Sequence, residues 1–233
     1  MTKYFKHTAS PLFGVIFIIP LAVYYEIYMI LVHRGAASEV RNAADVMFRR
    51  LFEYIGFDGP LASIVLFACL FIITAILQGA HREKEGIKVH WHYYPVMVAE
   101  SALYAMIMFA LMSLSMNLLT PPVLMISAID IAYCMGAGVY EELLFRAFLL
   151  QGLLLLSLKL PGRSDLWKLL ALFVSSLLFS GAHYIGSAGD VFLWNTFLLR
   201  MLGGFLLGIV YMFRGLGPAV YMHAIYNIYT IVL

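Results

Sequence analysis

Charge is scarce in this chain: Asp, Glu, Lys and Arg make up 12% of its 233 residues, where soluble domains carry about a quarter. Apolar residues take that place at 63% of the total, and the mean hydropathy is +0.90. No polar block large enough to fold alone interrupts the apolar runs between Pro11 and Leu233. This excludes a separate soluble domain and leaves one multi-pass integral membrane domain over residues 1–233. Cysteine is nearly absent too. Cys69 and Cys134 both fall in apolar runs without C-x-x-C spacing, so free buried thiols are expected rather than a disulfide framework. The formal charge of +2 has no basic stripe behind it, which argues against nucleic acid as a partner. Internal repeats, long linkers and low-complexity segments are missing as well.

What is present is a series of apolar runs. A span needs about 20 mainly apolar residues, and seven stretches approach that length. They lie near Pro11 to Val32, Leu61 to Gln78, Tyr94 to Leu118, Ser127 to Leu158, Leu166 to Tyr184, Val191 to Phe213 and Pro218 to Leu233. The first follows Lys3 and Lys6 like a signal peptide, but it is too long for an h-region and reads as a retained span. The fourth exceeds one straight crossing. Pro121-Pro122 precedes it, and Gly136 and Gly138 lie within it, so a tilt, a break or an interfacial turn is expected there, allowing eight helical segments.

Between the first two spans, Val40, Ala44, Met47, Phe48, Leu51 and Phe52 recur at three and four residues among Arg41, Asp45, Arg49 and Arg50. That pattern predicts an amphipathic helix within Glu39 to Tyr54, lying at the membrane surface. The fold class is therefore all-α: a polytopic bundle of seven to eight transmembrane helices with one interfacial helix. In alternating connections, Lys3, Lys6, Arg82, Lys84, Lys88, Lys159, Arg163, Lys168 and Arg214 fall on one side, against Arg34, Arg41, Arg49 and Arg50 on the other. The positive-inside tendency then places the N-terminus in the cytoplasm.

Against this apolar background three polar clusters stand out. Glu141, Glu142 and Arg146 lie in the fourth span, His183 ends Phe179-Ser180-Gly181-Ala182-His183 in the fifth, and His223 and Asn227 lie in the last. Each charge at mid-span costs about 2.5–3.5 kcal/mol on insertion scales, which marks a functional site. A lone intramembrane His more often satisfies packing, and a Glu with Arg at i+4 is often structural. Three such clusters in three spans need a shared reason.

On a helix, Glu142 and Arg146 share a face in the favourable acid-before-base order and can neutralise each other. Glu141 is turned about 100° away and is the freer carboxylate. His183 lies 17 residues from Leu166, and Glu141 lies 17 from Leu158, so both sit about 25 Å from the same connection. A carboxylate facing an imidazole at one depth can deprotonate a water. His223 and Asn227 share a face and can donate hydrogen bonds to an oxyanion, although counting from Pro218 sets them only about 8 to 14 Å deep.

Glu-Glu-x-x-x-Arg at Glu141, Glu142 and Arg146, Phe-x-x-x-His at Phe179 and His183, and His-x-x-x-Asn at His223 and Asn227, in that order, resemble the CPBP family. That family contains the type II CAAX prenyl proteases and the bacteriocin-processing or self-immunity enzymes, and is also called Abi. The resemblance covers Tyr140 to Asn227, within a motif-bearing core of about 123–233. It implies a membrane-embedded glutamate-type endopeptidase acting on a membrane-associated protein or peptide, prenylated or not. In that reading Glu141 is the base, His183 its partner on water, and His223 with Asn227 the oxyanion side. Glu142 and Arg146 support them, and Phe179 packs beside His183. No cofactor is expected.

Two other readings stay open. Two His and a Glu can hold zinc, although His-Glu-x-x-His is absent. A non-catalytic immunity or scaffold protein can keep the same fold. A transporter or proton channel is disfavoured by the lack of half-sequence symmetry. Glu26, Glu100, Asp130 and Arg200 are weaker candidates for lining a cavity or pairing with one another. Gly204 and Gly208 form Gly-x-x-x-Gly, read as close packing inside the bundle, and homo-oligomerisation is not indicated.

Overall fold

Backbone in lipid has to satisfy its own hydrogen bonds, and every regular element among the described residues is helical. The computed structural model describes residues 3–32, 41–81, 90–116, 126–186 and 189–232. Arg34, Arg82, Lys84, Lys88 and the Pro121-Pro122 pair lie outside them. A short α1 (Lys3–Thr8) leads into α2 (Pro11–Val32), whose 22 residues extend about 33 Å. Next come α3 (Ala43–Glu53), α4 (Pro60–His81), α5 (Tyr93–Met116) and α6 (Ala128–Glu142). A π-helical segment (Leu143–Leu150), α7 (Gln151–Ser157), α8 (Ser164–Ala182), α9 (Trp194–Arg214) and α10 (Leu216–Val232) complete the bundle.

Each expected span corresponds to one of these helices. By length and composition, four described helices can cross a membrane: α2, Tyr93–Leu114 of α5, α8 and α9. The apolar part of α4, Pro60–Ile76, is shorter, and α10 has 17 residues. The fourth expected span does not break. It runs from α6 to α7, with its winding widened to π immediately after the glutamate pair. Gly215, at φ +86°, ends α9 in a conformation that favours glycine, and Pro218 lies in the first turn of α10, where its missing N–H costs nothing.

α10 is the central strut, packed against α2, α5, α6 and α9. Its approach to α6 depends on Gly138, where an added Cβ would lie 2.8 Å from the Val220 carbonyl and 2.9 Å from the Ala224 Cβ. At its start, Gly217 packs on Gly14 and Phe17 of α2. One core of buried residues thus joins α2 and α3 to α6 and α10, including Phe17, Tyr25, Phe48, Tyr140, Val220 and Ala224. Gly204 and Gly208 face Phe179 and Leu172 of α8, so this Gly-x-x-x-Gly is used inside the chain.

α3 is a helix with Arg50 and Glu53 exposed, but two of its charges do not face water as an interfacial pattern suggests. Asp45 and Arg49 point inward, while Met47 and Leu51 are exposed. The reason is Glu26 of α2, whose carboxylate accepts from Arg49 at 2.7 Å and from Arg41 at 3.4 Å, while Asp45 pairs with Arg49 at 2.8 Å and Arg41 at 3.0 Å. Burial raises the Asp45 carboxyl above its usual range, Arg49 lowers it again, and Glu26 adds to the rise. At the other end of the bundle, Glu100 of α5 pairs with Arg214, which also donates to Thr8 of α1 at 3.0 Å. Asp130 forms an exposed capping box with Ser127. Both cysteines are free, but only Cys134 is buried; Cys69 lies on the outer surface of α4, where an apolar residue can face lipid.

Gly138→Ala should force α10 away from α6 and lower stability by about 1–3 kcal/mol. The unfolding midpoint of the purified protein in micelles checks this, with Gly152→Ala, where nothing lies within 4 Å of the added Cβ, as the neutral control.

Candidate active site

Tyr140, Glu141 and Glu142 leave one helical turn in three directions, and each finds a different set of partners. Tyr140 is fully buried and donates to Glu26 of α2 at 2.5 Å. Glu142 is also fully buried and accepts from the Nδ1 of His223 at 2.8 Å. Its second oxygen lies 3.0 Å from Nε of Arg146, close enough for ion pairing but off the hydrogen-bonding angle. Arg146 in turn donates to the Gly204 carbonyl of α9 at 3.0 Å and lies 4.5 Å from the centre of the Phe179 ring, a cation–π contact.

Glu141 points toward both imidazoles. Its Oε2 lies 3.9 Å from Nε2 of His183 and 3.9 Å from Nε2 of His223. These separations exceed a direct hydrogen bond and can be bridged by one water. The ring tautomers follow from the opposite nitrogens. His183 Nδ1 lies 2.9 Å from the Phe179 carbonyl, which only accepts, so Nδ1 carries a proton. His223 Nδ1 donates to Glu142 in the same way. Neutral rings therefore turn the Nε2 lone pair toward Glu141.

These groups form one wall of a cavity of about 350 Å³. Asn227 lines it one turn beyond His223 and makes no side-chain hydrogen bond among the described residues. Arg200 and Tyr226 also reach it, and Met108 and Met112 of α5 with Leu199 and Leu207 of α9 supply its apolar side. Phe179 separates the site from Arg146, with its ring centre 5.1 Å from that of His183 and 5.9 Å from that of His223. Residues of five helices thus meet here.

Glu141, His183, His223, Asn227 and Phe179 come together at the cavity, and Glu142 and Arg146 stand directly behind it. The pairing of Glu142 with Arg146 is as the helix angles predict. Two details differ from the sequence reading. Glu141 is not free, because its Oε1 accepts from Asn42 Nδ2 at 2.7 Å. His223 faces Glu141 as closely as His183 does, despite the depth counted from Pro218. α10 starts recessed against the α1–α2 turn, where Gly215 meets Ala9 and Gly217 meets Gly14. Among the weaker candidates only Arg200 lines the cavity; Glu26 and Glu100 are taken up in ion pairs. Asn42, Met108 and Met112 escaped the sequence reading. Asn42 did carry a signal, as an N-cap residue ahead of Ala44 and Asp45, but nothing in it disclosed a second partner.

Residues 124–229 match the family model described as type II CAAX prenyl endopeptidase Rce1-like. Over this segment the chain is similar to the type II CAAX prenyl endopeptidases. Comparisons with curated proteins and with solved structures find no match. With the long apolar helices, this likeness supports an integral membrane protein of the peptidase class at the general level. The family segment includes α6 to α9 and most of α10, whereas Asn42, Met108 and Met112 come from outside it.

Arg146→Met should leave Glu142 as an uncompensated buried charge and lower stability by about 3–5 kcal/mol. Adding Glu142→Gln to it should recover part of that loss. Unfolding midpoints of the two single variants and the double variant measure the coupling.

Proposed function

We propose that this CAAX protease-like protein hydrolyses a peptide bond within or beside the membrane, using a water activated by Glu141 and His183 without a metal. The observation that carries the reading is the position of Glu141 Oε2, 3.9 Å from both imidazole Nε2 atoms on the wall of the cavity. A water there donates one hydrogen to Glu141 and the other to His183, directing an oxygen lone pair at the substrate carbonyl. Glu141 takes a proton as the water oxygen bonds to the carbonyl carbon. Asn227 Nδ2 donates to the oxyanion that forms, and His223 Nε2 donates beside it in the imidazolium form of the ring, whose charge Glu142 balances. Collapse breaks the C–N bond, and Glu141 returns its proton to the leaving amine. Glu142 holds the His223 ring in place through Nδ1.

Arg200, the only Lys or Arg lining the cavity among the described residues, supports a substrate that ends in a carboxylate. A CAAX box ends its protein chain, so a terminal carboxylate lies close to the scissile bond. Arg200 donates to Asp190 through Nη2, while its Nη1 is buried without a hydrogen-bond partner. A shift of the part-exposed Arg200 side chain would offer that nitrogen to a substrate carboxylate, and the apolar side of the cavity suits aliphatic side chains next to it. The whole chain, 1–233, acts as one unit around the motif-bearing core. The N-terminus is cytoplasmic, as the excess of Lys and Arg in alternating connections implies.

Glu141→Gln should lower kcat about 10²- to 10⁴-fold on prenylated or unprenylated membrane peptides, with cut sites mapped by mass spectrometry. Full turnover by that variant would remove the base, and a loss on chelation restored only by zinc would replace this chemistry with a metal's. Retention of cellular function with both Glu141 and His183 replaced would favour a non-catalytic immunity or scaffold role. Separately, Arg200→Met should raise KM about 10- to 100-fold for peptides with a free C-terminal carboxylate. Matched C-terminal amides should show little change.

A further inference from the structure

We infer that Asn42 is a positioning residue for Glu141, supplied from outside the family segment, which selects the carboxylate oxygen that faces the imidazoles. The inference rests on the reading of Glu141 as the base. Asn42 Nδ2 donates to Glu141 Oε1 at 2.7 Å, so that oxygen is occupied and Oε2 is the one left toward His183 and His223. A carboxylate on a flexible side chain otherwise exchanges its oxygens and swings among rotamers. One charge-assisted bond from a fixed donor restricts both motions.

The donor is itself fixed. Asn42 is the N-cap of α3, and its Oδ1 accepts from the Ala44 N–H at 2.9 Å, which turns Nδ2 toward Glu141. Its backbone N–H donates to the Tyr25 hydroxyl at 3.3 Å, and that hydroxyl donates to Asp45 at 2.9 Å. Tyr25 lies against Gly136, less than two turns before Glu141. The ion pair of Arg49 with Glu26 holds α3 down on α2, and Asp45 fixes Arg49 from within α3. The buried polar network of the N-terminal half therefore ends on the proposed catalytic carboxylate.

A capping role and a donor role rank substitutions in opposite orders. Ser and Asp cap a helix as well as Asn does, but neither can give Glu141 an amide hydrogen, whereas Gln keeps the amide and caps poorly. Asn42→Ser should lower kcat about 10- to 100-fold, with KM within about twofold and an unchanged melting temperature, and Asn42→Asp, which sets a second carboxylate against Glu141, should lower kcat at least as far. Asn42→Gln should retain more kcat than either, even with a lower melting temperature. Wild-type kcat in the Asn42→Ser and Asn42→Asp variants would overturn the inference. So would losses of kcat that follow melting temperature across the three proteins. Glu141→Gln in the same assay separates the two ideas. If it is active, the base assignment fails; if it is inactive while the Asn42→Ser and Asn42→Asp variants are fully active, only the role of Asn42 fails.

Discussion

A fully buried carboxylate has to be answered by partners, and Glu142 is answered from two sides. Arg146 approaches from one turn along the same helix and His223 from α10. Removing either would leave charge in a medium that solvates it poorly, so the separation of α6 and α10 is constrained by electrostatics as well as by packing at Gly138. Arg146 carries the constraint further, to the Gly204 carbonyl of α9 and the Phe179 ring of α8. Four helices are thereby held around one ion pair, and the cavity lies between them.

The π-helical segment begins where this constraint is tightest. Its wider turn lets Arg146 occupy the space behind the cavity while Leu143 and Leu150 remain fully buried. Ser175 of α8 donates to the Phe145 carbonyl at 2.9 Å within that segment, giving a backbone oxygen a partner where the helical ladder is altered. Windings of this kind often occur at functional sites because they re-aim side chains without ending the helix.

Much of the architecture was legible because lipid imposes so strong a pattern. Apolar length located the long helices, and four-residue spacing paired Glu142 with Arg146. The orientation of α3 was not legible: hydrophobic periodicity gives a face, but Glu26, 23 residues before Arg49, decides that the charged face turns inward. The π winding carried no compositional mark. The depth of His223 was misread because a span was counted from its first apolar residues, whereas glycine contacts with α1 and α2 set where α10 starts. Asn42 was hidden for a related reason. Its partner is 99 residues away, and its local capping pattern already accounts for it.

The distribution of the site along the chain also bears on synthesis. Asn42 is made first, Glu141 and His183 follow, and His223 with Asn227 come last, on a helix that packs against α2, α5, α6 and α9. A nascent chain that has inserted α6 and α8 still lacks the groups of α10. Hydrolytic competence would then arise in a single late docking event, so a partly built chain would be inert toward the lipid-borne proteins around it.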